Sequence, residues 1–356
     1  IREAGDAEPE APREEAAEED LSSEVETGVP LDDLKWSGVV AWTPRAFFQV
    51  HPKLDRQLKK RLQDFGPESI LEWAHAETLA FASLLEENVP VRLTGQDSER
   101  GTFSQRHLVL HDVETGEEHI PLAEVGTARF EVYNSPLTET ATVGFEYGYE
   151  VGSAPDLVLW EAQFGDFVNV AQVIIDQFIA SGRAKWGQLS RLTLLLPHGH
   201  EGQGPEHTSA RLERFLQLSA EDNMRVAYPT TPAQYFHLLL RQSAWPRAST
   251  LVVMTPKSLL RHPRATSRLQ ELAEGSFQAL LPDPEGPEDR SQITRLVLCS
   301  GKVFYDLATH AKREEQGHVA LARIEELYPF PADSTHALVE SYPNLKEAYW
   351  VQEEPM

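Results

Sequence analysis

Basic residues are scarce in this chain, cysteine is nearly absent, and no long apolar run occurs. Only 32 Lys and Arg stand against 56 Asp and Glu, a formal net charge of -24. That balance excludes nucleic acid as a partner, because phosphate recognition needs a basic footprint and no Lys/Arg cluster supplies one. A single cysteine, Cys299 in "RLVLCSGK", excludes an internal disulfide framework. It suits a reducing compartment, bacterial cytoplasm or mitochondrial matrix, and a lone thiol among apolar neighbours ordinarily fills space. No apolar run approaches the ~18 residues needed to cross a bilayer, so a soluble protein with no membrane partner is expected. Three signatures are missing as well: G-x-G-x-x-G opening a helix after the first strand, G-x-x-x-x-G-K-[ST], and G-x-S-x-G. Their absence disfavours a Rossmann cofactor, a phosphate loop and a serine-hydrolase elbow. There is no signal-peptide pattern and residue 1 is Ile, so the sequence reads as beginning mid-protein.

What is present is alternation. At 356 residues the chain exceeds the usual single core, and two or more domains are expected. Residues 1–33 carry thirteen acids against Arg2 and Arg13 in an Ala/Glu/Pro-rich stretch. Such a composition cannot bury enough apolar area to offset chain ordering, and it reads as a disordered linker or arm. Beyond it, "ESILEWAHAETLAFASLLEEN" predicts a helix whose apolar stripe takes in Ile70, Trp73, Ala80 and Leu84, flanked by Ala74, Phe81 and Leu85. Glu77 falls inside that stripe, where a carboxylate is more often partnered by an arginine than catalytic. Short apolar runs follow ("VPVRLTG", "DLVLWEA", "LTLLLPH", "MRVAYP", "STLVVMTP"), separated by the helical spacings of "TATVGFEYGYEVG", "FVNVAQVIIDQFIASG" and "TPAQYFHLLLRQSAW". That pattern predicts an α/β domain over 34–280, built on a parallel sheet covered on both faces. A break dense in Pro, Gly and acids at 280–292 precedes a second, smaller and incomplete α/β domain over 293–356.

The chemistry gathers where strands end. "TLLLPHGHEGQGPEHTSAR" sets His198, His200 and His207 among Gly199, Gly202 and Gly204, residues that let backbone approach a ligand closely. Zinc is the sharp rival reading, but the usual paired-ligand spacings are missing, and no metal is assigned to these residues. In "NSPLTETATVGFEYGYE" the helical phase puts Glu139 in a first turn, where a carboxylate is favoured whether it caps or reacts. "WEAQFGDFVNVAQ" places Phe164, Gly165 and Phe167 in a loop at a strand's carboxyl end, the ligand side of open parallel sheets. "RLTGQDSERGTFSQRH" adds Gln96, Arg106 and His107 after another strand. Four such loops make a convergent crevice more probable than any one of them does.

The same stretches, with "TPKSLLRHP" and "SGKVFYDL…RIEELYPFP…WVQEEPM", resemble the thiamine-diphosphate-dependent component of 2-oxoglutarate dehydrogenases, in order from about Trp73 to the end. The resemblance implies a transketolase-like pyrimidine-binding domain, most of a carboxy-terminal domain, and a homodimer. It also implies that Mg²⁺ and the cofactor diphosphate are held by a domain with a Gly-Asp-Gly…Asn segment that this chain lacks. By motif, Glu139 would share a proton with N1′ of the aminopyrimidine, so that the 4′-imino form removes the C2 proton. Phe167, with Phe164 second, would pack on the pyrimidine. His207 would donate to the developing oxyanion or to the dicarboxylate, Gln96 would line the pocket, and His198 and His200 would assist or orient the loop. Arg106 and His107 would support from behind. Thr138 replaces the family's common Ser before the glutamate and keeps the hydroxyl. The implied reaction is decarboxylation of 2-oxoglutarate with succinyl transfer to the lipoyl domain of dihydrolipoyl succinyltransferase, in the tricarboxylic acid cycle. A 2-oxoadipate or other transketolase-like dehydrogenase, a non-catalytic module of the same fold, and a metal-dependent hydrolase are the alternatives.

Overall fold

The computed structural model describes residues 67–152, 156–284, 286 and 289–355. The acidic arm at 1–33 and the start of the 34–280 domain lie outside the described residues. Helix α1 (Trp73–Glu86) is followed by strands β1 (Val91–Gly95) and β2 (Phe130–Asn134), helix α2 (Glu139–Gly152), and strands β3 (Leu157–Glu161), β4 (Thr193–Pro197) and β5 (Met224–Ala227). Then come helix α3 (Pro232–Ala244) and strands β6 (Thr250–Thr255), β7 (Leu280–Pro282), β8 (Arg295–Cys299), β9 (Val319–Ile324), β10 (Glu326–Tyr328) and β11 (Glu347–Val351). The main sheet has the order β10-β5-β6-β4-β3-β1-β2 and is parallel except for β10.

Strand composition explains the layering. In β3, β4 and β6 every residue is buried, as continuous apolar runs require when both sheet faces are covered. Period-two alternation divides them: Leu159, Leu195, Leu251 and Val253 join one core with Trp73, Phe81 and Phe236. Trp160, Leu194, Leu196, Val252 and Met254 join the other with Val143, Ile175 and Phe215. Each such side chain contributes about 1.5–3 kcal/mol when fully buried, more than the ~1 kcal/mol spread of strand propensity, so burial decides these strands. Helices α1 and α3 cover the first face together. Thr231 caps α3 by accepting from Gln234 N at 3.3 Å, and Pro232 starts it without wasting a donor.

Two expectations are corrected. Ile70 does not join the buried stripe of α1; it pairs with Arg268 in a two-residue strand and is 59% exposed. The run from 167 to 182 is not one helix. It breaks into a 3₁₀ stretch (Gly165–Ala171), one α turn (Gln172–Ile174) and a π stretch (Ile175–Ile179). Its apolar spacing is helical throughout, and such spacing does not distinguish these windings over a few residues.

The second sheet has the order β7-β9-β8-β11. β7, from the Pro/Gly-rich break, pairs antiparallel with β9, and β10, only two residues beyond β9, crosses back to close the main sheet against β5. Glu325 sits at this crossover with no exposure, and its carboxylate accepts from Thr230 N at 2.7 Å and from Thr230 Oγ1. Cys299 is buried beneath this sheet, and burial pushes its thiol up to about 12, which leaves it unreactive.

Above the carboxyl ends of β1 and β3 lies a buried cluster of charge. Arg106, 1% exposed, donates Nε and Nη2 to Glu77 at 2.6 and 2.9 Å. The same guanidinium donates Nη1 and Nη2 to Glu161 at 2.6 and 2.7 Å. Tyr235 of α3 donates to Glu77 at 2.8 Å. Glu77 is therefore partnered, as its position in a buried stripe requires. Burial holds the Glu161 carboxyl above its ordinary value, Arg106 opposes that, and Glu77 adds to it.

We predict that Arg106→Met costs about 3–5 kcal/mol near neutral pH, because it strands two buried carboxylates. Without the cation the Glu161 carboxyl, already held up by burial, rises further above the ~4.3 of the unfolded chain. The variant's deficit is then smallest below about pH 4 and widens as pH rises through the folded value. Urea unfolding of variant and parent at several pH values measures it; a pH-independent difference under 1 kcal/mol contradicts it.

Candidate active site

β1 leads outward to β2, whereas β3 leads to β4 on its other side, so the chain changes direction between neighbours β1 and β3. Open α/β sheets bind ligands in the crevice at such a point. Gly95 ends β1, and a Cβ there would lie 2.3 Å from the Glu161 carbonyl oxygen, so only glycine lets the two strand ends approach this closely. Gln163 Nε2 then ties the two following loops together by donating to Asp97 Oδ2 at 2.8 Å.

Glu139 is the first residue of α2. The turn before it is set by Ser135 Oγ accepting from Leu137 N at 3.2 Å, and Thr142 N donates to Thr138 O at 2.9 Å as the helix begins. A carboxylate in this first turn is favoured by the unpaired N–H groups and the helix dipole. Gln96 Nε2 reaches across from β1 to Leu137 O at 3.3 Å and to Glu139 Oε1 at 3.4 Å. Thr140 Oγ1 donates to Val170 O, which holds the start of α2 against the turn that carries Phe167. Glu139 is half-buried in this chain rather than fully dry.

The aromatic side chains meet the glycine-rich loop. Phe164 lies edge-on to the His207 ring with centroids 4.2 Å apart, and Phe167 lies 5.8 Å from both. Phe103, from the loop after β1, packs on Phe164 at 5.5 Å. Gly165 makes the approach possible, since a Cβ there would lie 2.5 Å from Ala210 Cβ and 2.7 Å from Pro197 O.

The three histidines divide. His207 is half-buried against the phenylalanines. His198 is buried: its Nδ1 accepts from Ala210 N at 3.0 Å, which leaves Nε2 to donate to Glu354 at 2.9 Å. Burial would raise the Glu354 carboxyl, but the hydrogen bond from His198 opposes it and the net displacement is downward. His200 is exposed, 6.1 Å from the His198 ring. Possible ligand atoms of His198, Glu353 and Glu354 lie within 4.8 Å of one another, and Lys302 Nζ already sits 3.3 Å from Glu353. His107, beside Arg106, takes left-handed backbone with φ of 57°.

The structure thus brings Gln96 to Glu139 and Phe164 and Phe167 to His207, leaves His200 at the surface, and commits both nitrogens of His198 within the protein. Sequence reading missed Lys257, Glu161, Asp97 and Gln163. Lys257 follows the apolar run "STLVVMTP" directly and is buried, with Nζ 2.8 Å from Gly199 O and 2.6 Å from His207 O. A lysine pressed against the end of a core strand was the available signal.

Comparison with known proteins matches residues 69–263 to the family model "Transketolase, pyrimidine binding domain" and residues 266–356 to "2-oxoglutarate dehydrogenase C-terminal". The chain is 56% identical over 314 residues to a protein of Geobacillus kaustophilus named 2-oxoglutarate dehydrogenase E1 component, covering 86% of this chain and 33% of that one. Proteins of the same name from Bacillus subtilis and Coxiella burnetii are 53% and 51% identical over 93% and 95% of this chain, and 36% of each of theirs. The chain therefore spans about a third of the length of these curated relatives.

Gly165→Ala is expected to destabilise the chain by about 1–3 kcal/mol, the usual cost of forcing an extra methyl into a packed interior. It should also alter the near-ultraviolet dichroism of the Phe164, Phe167 and His207 cluster. An unchanged urea midpoint together with an unchanged aromatic spectrum would contradict this.

Proposed function

Because the chain belongs to the transketolase pyrimidine-binding family, we propose that it supplies the pyrimidine half of a thiamine-diphosphate site that decarboxylates 2-oxoglutarate oxidatively. The succinyl group would pass to the lipoyl arm of a dihydrolipoyl succinyltransferase, a step of the tricarboxylic acid cycle. One observation carries this reading: at the switch between β1 and β3, Gln96 touches Glu139, and the Glu139 helix is tied to the turn bearing Phe167, whose ring meets His207. The names of the relatives support the choice of substrate.

The residues present fit an aminopyrimidine: a carboxylate with a free face at a helix start, an amide beside it, and half-buried aromatic rings across the crevice. When bound, thiamine diphosphate supplies the electron sink that decarboxylation of a 2-oxo acid requires. Glu139 would hold a proton at N1′, with Gln96 Nε2 donating to its carboxylate at 3.4 Å. Phe167, with Phe164, would pack on the ring and exclude water. His207 would donate to substrate oxygen, strengthened by a low-dielectric surround. His200, at the rim, would meet the distal carboxylate, while His198 holds the loop in place. The diphosphate and its Mg²⁺ would be held by residues outside this chain.

A homodimer completes the proposal. Phe145 of α2, Val170, Val173 and Trp186 are each more than half exposed along α2 and the segment behind it. Exposed apolar surface of this kind is what a second subunit would cover.

The test is Glu139→Gln in the full-length protein. Carbon dioxide release from 2-oxoglutarate should fall about 10²–10⁴-fold, the range for loss of a general acid–base. A variant as fast as the parent overturns the role of Glu139, and a parent that prefers 2-oxoadipate overturns the substrate.

A further inference from the structure

The loop from His198 to Thr208 is clamped at its neck and tip by the turn that follows β6. Lys257, 3% exposed, donates Nζ to Gly199 O at 2.8 Å and to His207 O at 2.6 Å, the carbonyls at the two ends of the loop. Gly199 N donating to Thr208 O at 2.9 Å closes the same neck. The next residue holds the tip: Ser258 Oγ donates to Glu201 Oε1 at 2.6 Å, and Ser258 N to Glu201 Oε2 at 3.1 Å.

Little within the loop would keep it in shape. Gly199, Gly202 and Gly204 take φ of 139°, 73° and 120°, backbone that glycine enters at low cost and leaves as readily. Inside the neck the backbone is bonded by His207 N donating to Gly204 O at 3.3 Å, a weak bond. A buried ammonium donating to two carbonyls is far stronger, because a charged donor roughly doubles a hydrogen bond and water does not compete. Burial draws the Lys257 pKa down, and Glu201, Asp166 and Glu353 oppose that, so the charge is supported from three sides.

We propose that Lys257 is a positioning residue for His207: by fixing the His207 carbonyl and the opposite end of the loop, it sets where the imidazole meets the crevice. Its Nζ also lies 5.9 Å from the centre of the Phe164 ring, the ring on which His207 packs at 4.2 Å. One cation therefore braces both the loop backbone and the aromatic wall. This rests on the reading of His207 as substrate-facing given above.

The experiment uses the full-length protein with Lys257→Met, Lys257→Arg, His207→Ala and the double variant Lys257→Met/His207→Ala. Without cofactor, amide exchange across residues 199–208 should speed up about 10-fold or more in Lys257→Met, while strands 157–161 and 193–197 keep their protection. With cofactor and 2-oxoglutarate, kcat should fall about 10–100-fold with thiamine diphosphate affinity unchanged, the scale expected for a misplaced catalytic group. The double variant should be no slower than His207→Ala alone. Lys257→Arg should recover part of the loss, since it restores charge without the same reach to two carbonyls. If Lys257→Met does not fold, Glu201→Gln, which loosens the tip, is expected to give smaller losses in the same direction. Unchanged loop exchange, exchange that rises equally in the strands, or losses that multiply with those of His207→Ala overturn the proposal. A parent inactive on 2-oxoglutarate, or His207→Ala at parental rate, overturns the functional reading instead, and loop exchange still decides the clamp.

Discussion

The guanidinium of Arg106 is the fixed point from which the site is built. It satisfies Glu77 of helix α1 and Glu161 at the end of β3 at once, and its Nη1 also donates to the Ser98 carbonyl at 3.1 Å. Helix, strand and the loop after β1 therefore share one cation. Two carboxyl groups and a guanidinium taken out of water are, on solvation grounds, poorer than an apolar plug of the same shape. What the cluster contributes is registry. It sets the loop from Gln96 to Arg106 at one height above the sheet, and Gln96 and Phe103 inherit their positions from it.

The crevice then divides its work between rigid and adaptable parts. Glu139 and the phenylalanines stand on elements whose backbone is committed to helix or packed turn. The histidine-bearing loop is glycine-rich and owes its shape chiefly to Lys257 and Ser258, which lie outside it, and to the Ala210 N–H donated to its own His198. Such a division suits chemistry in which one partner must be held still while another approaches and leaves.

Much of the fold was legible because burial wrote it plainly. Runs such as "TLLLP" and "TLVVMT" allow little besides strands covered on both faces, and the helical spacing around Glu139 matches α2. The winding of 165–179 was not legible, because apolar spacing does not distinguish α, 3₁₀ and π turns over a few residues. In the site, the pairing of Gln96 with Glu139 and of Phe164 with His207 follows from which strands lie side by side, which one sequence suggests only through resemblance. Lys257 and Glu161 escaped notice for a different reason: a charged residue at the margin of an apolar run reads as the run's end. Their partners lie 50 or more residues away, as with His207 and Arg106.

The return of β10 to the edge of the first sheet bears on how the molecule is made. A nascent chain that has completed β6 still carries β5 as an unpaired edge, and that edge waits for residues 326–328, which follow three strands of the second sheet. Synthesis at about 5–20 residues per second leaves it bare for several seconds, an opening for unwanted strand pairing. Glu325, pinned to Thr230, then locks the late arrival into place. The first sheet is thus finished only after most of the second has been made, and because β7 pairs with β9 while β10 pairs with β5, a protease nick in the acidic connection near residue 286 would leave the segments on either side joined through both sheets.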